Sequence, residues 1–234
     1  MTPAPVPTVV PGTVATVPEM MDATVDRIGE REAYVEVATG QRLTFREWVR
    51  AADGVAAHLE GMGLGRGDVV AISLPPSIDY AIACAAVIRL GGVATGINTR
   101  LGPREVSSIF GRCRPRAVIR PDGVASPPGP AMEVCRSELA EAARPVRGAS
   151  RGPSPPAVGA LRAEDPAVII WTSGTTGLPK GAWFDHRNLA AAVQTAGAMT
   201  APFDRRISGI PMAHAGYMAK LWEHLAFGVT LVLT

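Results

Sequence analysis

Residues 171–181 read WTSGTTGLPKG. The stretch holds four hydroxyl residues (Thr172, Ser173, Thr175 and Thr176), three glycines (Gly174, Gly177 and Gly181) and one lysine, Lys180. An apolar run, AVIIWT at 167–172, leads into it, and a second, GAWF at 181–184, leads out. Both runs are strand-like in length and rich in branched or aromatic side chains. The stretch is therefore expected to join strand to strand. Its composition suits a polyphosphate, which needs convergent donors and a backbone free to approach. Glycine removes the side chains that would hold the backbone off, hydroxyls donate, and a lysine supplies a point charge. It is not a Walker loop: Lys180 follows Pro179, precedes Gly181 and leads into a strand rather than a helix. Composition alone fits a phosphate nest and a long hairpin loop equally.

Outward from this loop the pattern alternates. Upstream, a helix is expected over Met20–Ile28, then a strand over Ala33–Val37. Thr44 and Glu47 have capping-box spacing for a helix running to about Met62. VVAISLP at 69–75 reads as a buried strand, and Ser77 as the cap of an apolar helix ending near Leu90 at Gly91-Gly92. A strand over Val93–Ile97, a helix over Pro103–Cys113 and a strand over Ala117–Arg120 follow. GMGLGRGD at 61–68 lies after a helix and before a strand. That is the reverse of a dinucleotide-binding turn, so it reads as a helix C-cap and turn. Downstream of the loop come a helix over Asn188–Met199, a strand at 207–211, a helix over Gly216–Phe227 and a strand at 229–234. Strand–helix–strand alternation with continuous apolar strands predicts an α/β fold with a largely parallel sheet flanked by helices. The domain plan is a flexible proline-rich arm at 1–18, a first α/β subdomain at 19–121 and a Pro/Gly-rich excursion at 122–165. The loop hairpin and an incomplete second α/β subdomain occupy 166–234.

The 234 residues are 47% hydrophobic and 19% charged, an ordinary globular balance. A net charge of +2 without a basic run points away from nucleic acid. The three cysteines form no CxxC pair and no histidine lies at ligand spacing from them, so no metal site is expected. The odd cysteine count and the proline-broken N-terminus, which has no basic region, predict a cytoplasmic protein without a secretory signal. The longest apolar stretch, Tyr80–Ile88, is too short to span a bilayer. The chain stops at Thr234 on an apolar strand. An uncovered edge strand at 230–234 invites association, so the remainder of a longer enzyme is expected to cover it.

The contiguous WTSGTTGLPKGA resembles the signature of the adenylate-forming (AMP-binding) superfamily. LTFREW from Leu43, GRGDVVAISLPPS, INTRL at 97–101, DHRNL from Asp185 and PMAHAG from Pro211 resemble flanking family segments. INTRL is most like the acyl- and aryl-CoA synthetase branch, and the resemblance spans the chain from about residue 20. It implies the N-terminal domain of an enzyme that couples a carboxylic acid to ATP and passes the acyl group from the adenylate to coenzyme A. It implies that Thr172, Ser173, Gly174, Thr175, Thr176, Gly177 and Lys180 hold the β- and γ-phosphates, with Lys180 neutralising charge. His214 matches a position on the acyl-carboxylate and thiol side of the cleft, and GYMAKLW at 216–222 matches one wall of the acyl pocket. His186 is expected to support the turn before a helix; His58 and His224 are expected on a helix surface or in the core. Two departures stand out. Trp171 replaces the usual Tyr or Phe, expected to alter packing only, and Asp185 replaces a Ser or Thr but can still cap a helix. The family's adenine-binding aromatic, its Mg²⁺-binding Thr-Glu pair, its ribose aspartate and its C-terminal lysine have no counterpart before Thr234. The resemblance thus implies a fragment that is inactive alone, its main Mg²⁺ ligand lying beyond residue 234. The competing reading is a non-catalytic module that binds phosphate, an acyl group or a partner chain.

Overall fold

The computed structural model describes residues 14–125, 129–130, 132–144, 161–172, 178–196 and 200–234. In chain order the elements are α1 (Val17–Ile28), β1 (Glu32–Glu36), β2 (Arg42–Thr44), α2 (Phe45–Gly61), β3 (Val69–Ile72) and α3 (Ile78–Arg89). Then come β4 (Val93–Gly96), α4 (Pro103–Cys113), β5 (Ala117–Arg120), β6 (Met132–Cys135), α5 (Arg136–Ala142) and β7 (Pro166–Thr172). The last are β8 (Lys180–Asp185), α6 (His186–Ala196), β9 (Arg205–Ser208), α7 (Ala215–Met218), α8 (Leu221–Phe227) and β10 (Thr230–Leu233).

Local signals set the helix starts. Thr44 accepts from the Glu47 amide while the Glu47 carboxylate accepts from the Thr44 amide. Ser77 accepts from the Tyr80 amide and starts α3, whose residues from Tyr80 to Arg89 are all buried. A helix apolar all round can only sit inside. α1 begins at Val17 rather than at Met20. Thr16 and Glu19 form a second capping box, and Pro18 lies in the first turn, where a missing amide leaves no bond unmade. The helix expected over 216–227 is interrupted at Ala219–Lys220, giving α7 and α8.

The strands form two sheets. The larger has the order β6-β5-β3-β4-β7-β8, parallel except for the antiparallel β7–β8 pair. β3 has Val70 and Ile72 in one core layer with α3 and Ala71 in another with Ile109 and Phe110 of α4. Burial on both faces explains why its strands read as continuous apolar runs rather than alternating ones. The smaller sheet has the order β2-β1-β10-β9. Each sheet thus draws strands from both before and after the 122–165 stretch.

The strand expected to lie open at 230–234 is interior. β10 pairs in parallel with β1 on one side, Leu231 opposite Tyr34, and with β9 on the other, Val232 opposite Ile207. Sequence order does not give sheet order, and β1 reaches back across most of the chain to cover it. The outer strands among the described residues are β2 and β9, and in β9 Ile207 is 77% exposed.

Polar groups tie the layers together. The Arg89 side chain, 1% exposed, bonds Asp53 of α2 and Asp22 of α1, the latter at 2.9 Å. His186, the first residue of α6, is buried, and its Nδ1 accepts from the Val17 amide at 3.2 Å, capping α1 rather than only supporting its own turn. Burial pushes its pKa down to about 4, which keeps the ring neutral and Nδ1 able to accept. His224 lies among the rings of Tyr34, Phe45 and Trp48, at centroid distances of 4.9, 5.1 and 5.6 Å.

Candidate functional site

β7 and β8 pair antiparallel from Pro166 opposite Asp185 to Thr172 opposite Lys180. The strand-to-strand connection read from the sequence is therefore a hairpin whose last rung is Thr172–Lys180. Ser173, Gly174, Thr175, Thr176 and Gly177 lie outside the described residues. At the rung the Thr172 hydroxyl donates to the Lys180 carbonyl at 3.4 Å, and both residues are exposed.

A cleft of about 410 Å³ opens beside this rung. Thr172, Pro179, Trp171, Asn98, Glu105 and His214 are among its lining residues. Lys180 adjoins Pro179 but is not one of them. The cleft sits outside the carboxyl ends of β4 and β7. There the connections part: the chain leaving β4 runs back across β3 to β5, while the chain leaving β7 runs outward to β8. Open α/β sheets bind ligands at such points, where the loops leaving neighbouring strands part.

His214 reaches the cleft by a local device. It is the N-cap of α7, exposed, with Nδ1 accepting from the Gly216 amide at 3.1 Å. Its turn packs against β4 at Gly96, where a Cβ would stand 2.4 Å from the Tyr80 hydroxyl and 2.5 Å from Ala213 Cα. No side chain fits there, and only glycine lets the His214 turn come this close. Asp185 keeps the capping role expected of it: its carboxylate accepts from the Asn188 amide at 2.6 Å.

Trp171 does more than pack. Its indole N–H donates to the Thr95 hydroxyl at 2.7 Å, and Thr95 is fully buried in β4. Gly181 lies against the indole, with room for a Cβ only 3.0 Å from two of its ring carbons. Sequence reasoning missed Thr95, Gly96 and Glu105. Asn98 lies in the INTRL stretch, the one signal that pointed here. The Glu105 carboxylate accepts from the Gly102 amide at 2.8 Å and so starts α4 at the cleft margin. A smaller cavity of about 170 Å³ lies between β9, β10 and the α7–α8 segment, with Ile207, Ile210, Gly216, Tyr217, Lys220 and His224 among its lining residues.

A mostly parallel sheet, with a glycine- and hydroxyl-rich hairpin beside the carboxyl ends of its strands, is the architecture of the N-terminal domain of adenylate-forming enzymes. The inhibitor-bound N-terminal domain of FACL13 from Mycobacterium tuberculosis superposes with a TM-score of 0.83 at 29% identity, covering 94% of this chain and 57% of that one. The family model for AMP-binding enzymes matches residues 21–234, and the chain belongs to that family. Among curated relatives, the 4-chlorobenzoate–CoA ligase of an Arthrobacter species is 33% identical over 207 residues, 86% of this chain and 40% of that protein. The long-chain-fatty-acid–CoA ligase FadD13 of Mycobacterium tuberculosis is 32% identical over 214 residues, 86% of this chain and 41% of that one. The chain thus spans about two fifths of the length of these relatives. Among the described residues, no helix is long and apolar enough to cross a membrane.

Proposed function

We propose that this chain is the N-terminal part of an AMP-forming ligase that joins a fatty or aryl carboxylic acid to coenzyme A through an acyl-adenylate. The observation that carries the reading is the meeting, at one cleft, of the Thr172 end of the loop hairpin and the His214 turn, which are far apart in sequence. A carboxylate is a poor electrophile, and ATP supplies it with a leaving group. The protein's task is then to fix the reacting groups and to stabilise phosphate charge. In this reading Thr172 and Lys180 hold the terminal phosphates from the hairpin, together with the hydroxyls and amides of residues 173–177. Lys180 offsets charge. His214 faces the carboxylate and thiol from the other wall, its ring oriented by the Gly216 amide. The acyl group runs toward the smaller cavity, which Gly216, Tyr217 and Lys220 help to line.

Among the described residues no group of three or more His, Cys, Asp or Glu is arranged to hold a metal ion, and no step here is routed through Mg²⁺. The remainder of the synthetase is proposed to lie against the outer strand β9 and to carry the rest of the nucleotide site. Chain 1–234 alone is accordingly proposed not to adenylate.

Two measurements test this. Tripolyphosphate titrated into chain 1–234 should bind saturably, and about tenfold more weakly to Lys180→Ala, the cost of one charge-assisted contact. Equal binding by the two proteins overturns the phosphate reading. ATP–pyrophosphate exchange with a panel of aryl and fatty acids should stay at the level of the Lys180→Ala control. Turnover above that control overturns the proposed inactivity of the isolated chain.

A further inference from the structure

We propose that Thr95 and Trp171 act together as positioning residues that hold the Thr172–Lys180 rung at the edge of the cleft. This rests on the phosphate reading of that rung. Among the described residues β8 is an outer strand of its sheet, paired only with β7, and residues Lys180 to Trp183 are exposed. Hydrogen bonds to a single neighbour leave such a rung free to twist and fray. A contact with the buried Thr95 opposes this from the sheet interior. The Trp171 indole N–H donates to Thr95 at 2.7 Å, and the Thr95 hydroxyl donates in turn to the Ile169 carbonyl at 3.2 Å. A hydroxyl has one proton. With that proton committed to Ile169, the oxygen is left as an acceptor for the indole, so the chain of bonds runs in one direction.

The indole then serves as a plate for the opposite strand. Gly181, paired with Trp171 across the hairpin, lies on the ring. One anchored side chain therefore sets both ends of the rung: Thr172 is covalently next to it, and Lys180 is next to the glycine beneath it. A phenylalanine or tyrosine at 171 would keep a ring but has no indole N–H to give Thr95. Thr95 also stands beside Gly96, against which the His214 turn packs. Two consecutive residues of β4 thus locate the phosphate wall and the carboxylate wall of the cleft relative to each other. Neither Thr95 nor the Thr95–Trp171 bond touches the proposed ligand; their effect is on geometry.

The test measures tripolyphosphate affinity of chain 1–234 in Thr95→Val, Trp171→Phe, the double variant, Thr95→Ser and Lys180→Ala. Measurements are made where circular dichroism shows every protein folded. The expected result is a loss of about fivefold in each of Thr95→Val and Trp171→Phe, the effect of one neutral hydrogen bond. The double variant should lose no more than either single one, because the two residues share that bond. Thr95→Ser, which keeps the hydroxyl, should bind as the wild type does. A merely structural role would lower stability without this pattern in affinity. Wild-type affinity in Thr95→Val, with Lys180→Ala weakened, overturns the positioning role and leaves the phosphate reading standing. A double variant that loses the product of the two single effects also overturns it. Equal affinity of wild type and Lys180→Ala removes the phosphate reading, and the positioning role with it.

Discussion

Replacing His224 with leucine should make the protein less sensitive to acid. His224 is 4% exposed, neither ring nitrogen has a hydrogen-bond partner of good geometry among the described residues, and three aromatic rings surround it. Burial pushes its pKa down to about 3, against an ordinary value of 6.5; the Val229 backbone opposes this shift and the nearby Arg206 charge reinforces it. The unfolded chain takes up a proton below pH 6.5 that the folded protein refuses. Stability from the neutral ring is therefore present above pH 6.5, falls as the pH drops below it, and stops falling near pH 3. Between pH 8 and pH 5 the loss comes to about 2 kcal/mol for this one residue. His186, with its pKa at about 4, adds a similar loss of ~2 kcal/mol over the same range. The assay is urea unfolding followed by circular dichroism at pH 8, 6.5 and 5, for wild type and His224→Leu. Leucine alters packing by a fixed amount at every pH, so only the change in the difference between the two proteins matters. That difference should move by about 2 kcal/mol in favour of the variant between pH 8 and pH 5. Parallel curves across the range would mean that the ring is protonated or solvated in the native state, and the reasoning would be refuted.

Arg89→Met should destabilise by about 3–5 kcal/mol, because it leaves the buried Asp53 carboxylate without its partner. Adding Asp53→Ala to that variant should recover part of the loss in the same urea assay, and failure to do so would argue that the pair is not coupled. Gly96→Ala forces a Cβ to within 2.4 Å of the Tyr80 hydroxyl. It should cost about 1–3 kcal/mol by overpacking, and an unchanged unfolding midpoint would contradict the close approach of the His214 turn. Ser77→Ala removes the cap of α3 and should cost ~1 kcal/mol. It should leave tripolyphosphate affinity untouched, since α3 lies inside the core; a change in affinity would point to a contact not seen in the cleft.

Much of the local structure was legible from short-range chemistry. Thr44 and Ser77 announced their helices because a cap is made with an amide three residues away. The apolar runs on either side of residues 173–179 announced two strands, and the antiparallel pair β7–β8 joins them. Thr16 and Glu19 carried the same cap signal, but the prolines around them read as a flexible arm. The strand β6 was missed inside a Pro- and Gly-rich stretch, where its pairing with β5 rather than any pattern of its own makes it a strand. At the site, Thr172 and His214 were found through the motif, whereas Thr95 and Gly96 look like ordinary strand residues until their neighbours across the sheet are known.

The sequence by itself determined where helices begin, which runs become strands, and that a glycine- and hydroxyl-rich stretch lies between two of them. Those outcomes depend on hydrogen bonds and side-chain periodicity within a few residues. Tertiary structure alone decided that β10 lies inside its sheet and β9 outside, that His186 caps α1, and that Trp171 bonds to Thr95. Each of these joins groups far apart along the chain. Such contacts exist only after the core has closed, when a buried polar atom takes whatever partner the packing brings within reach.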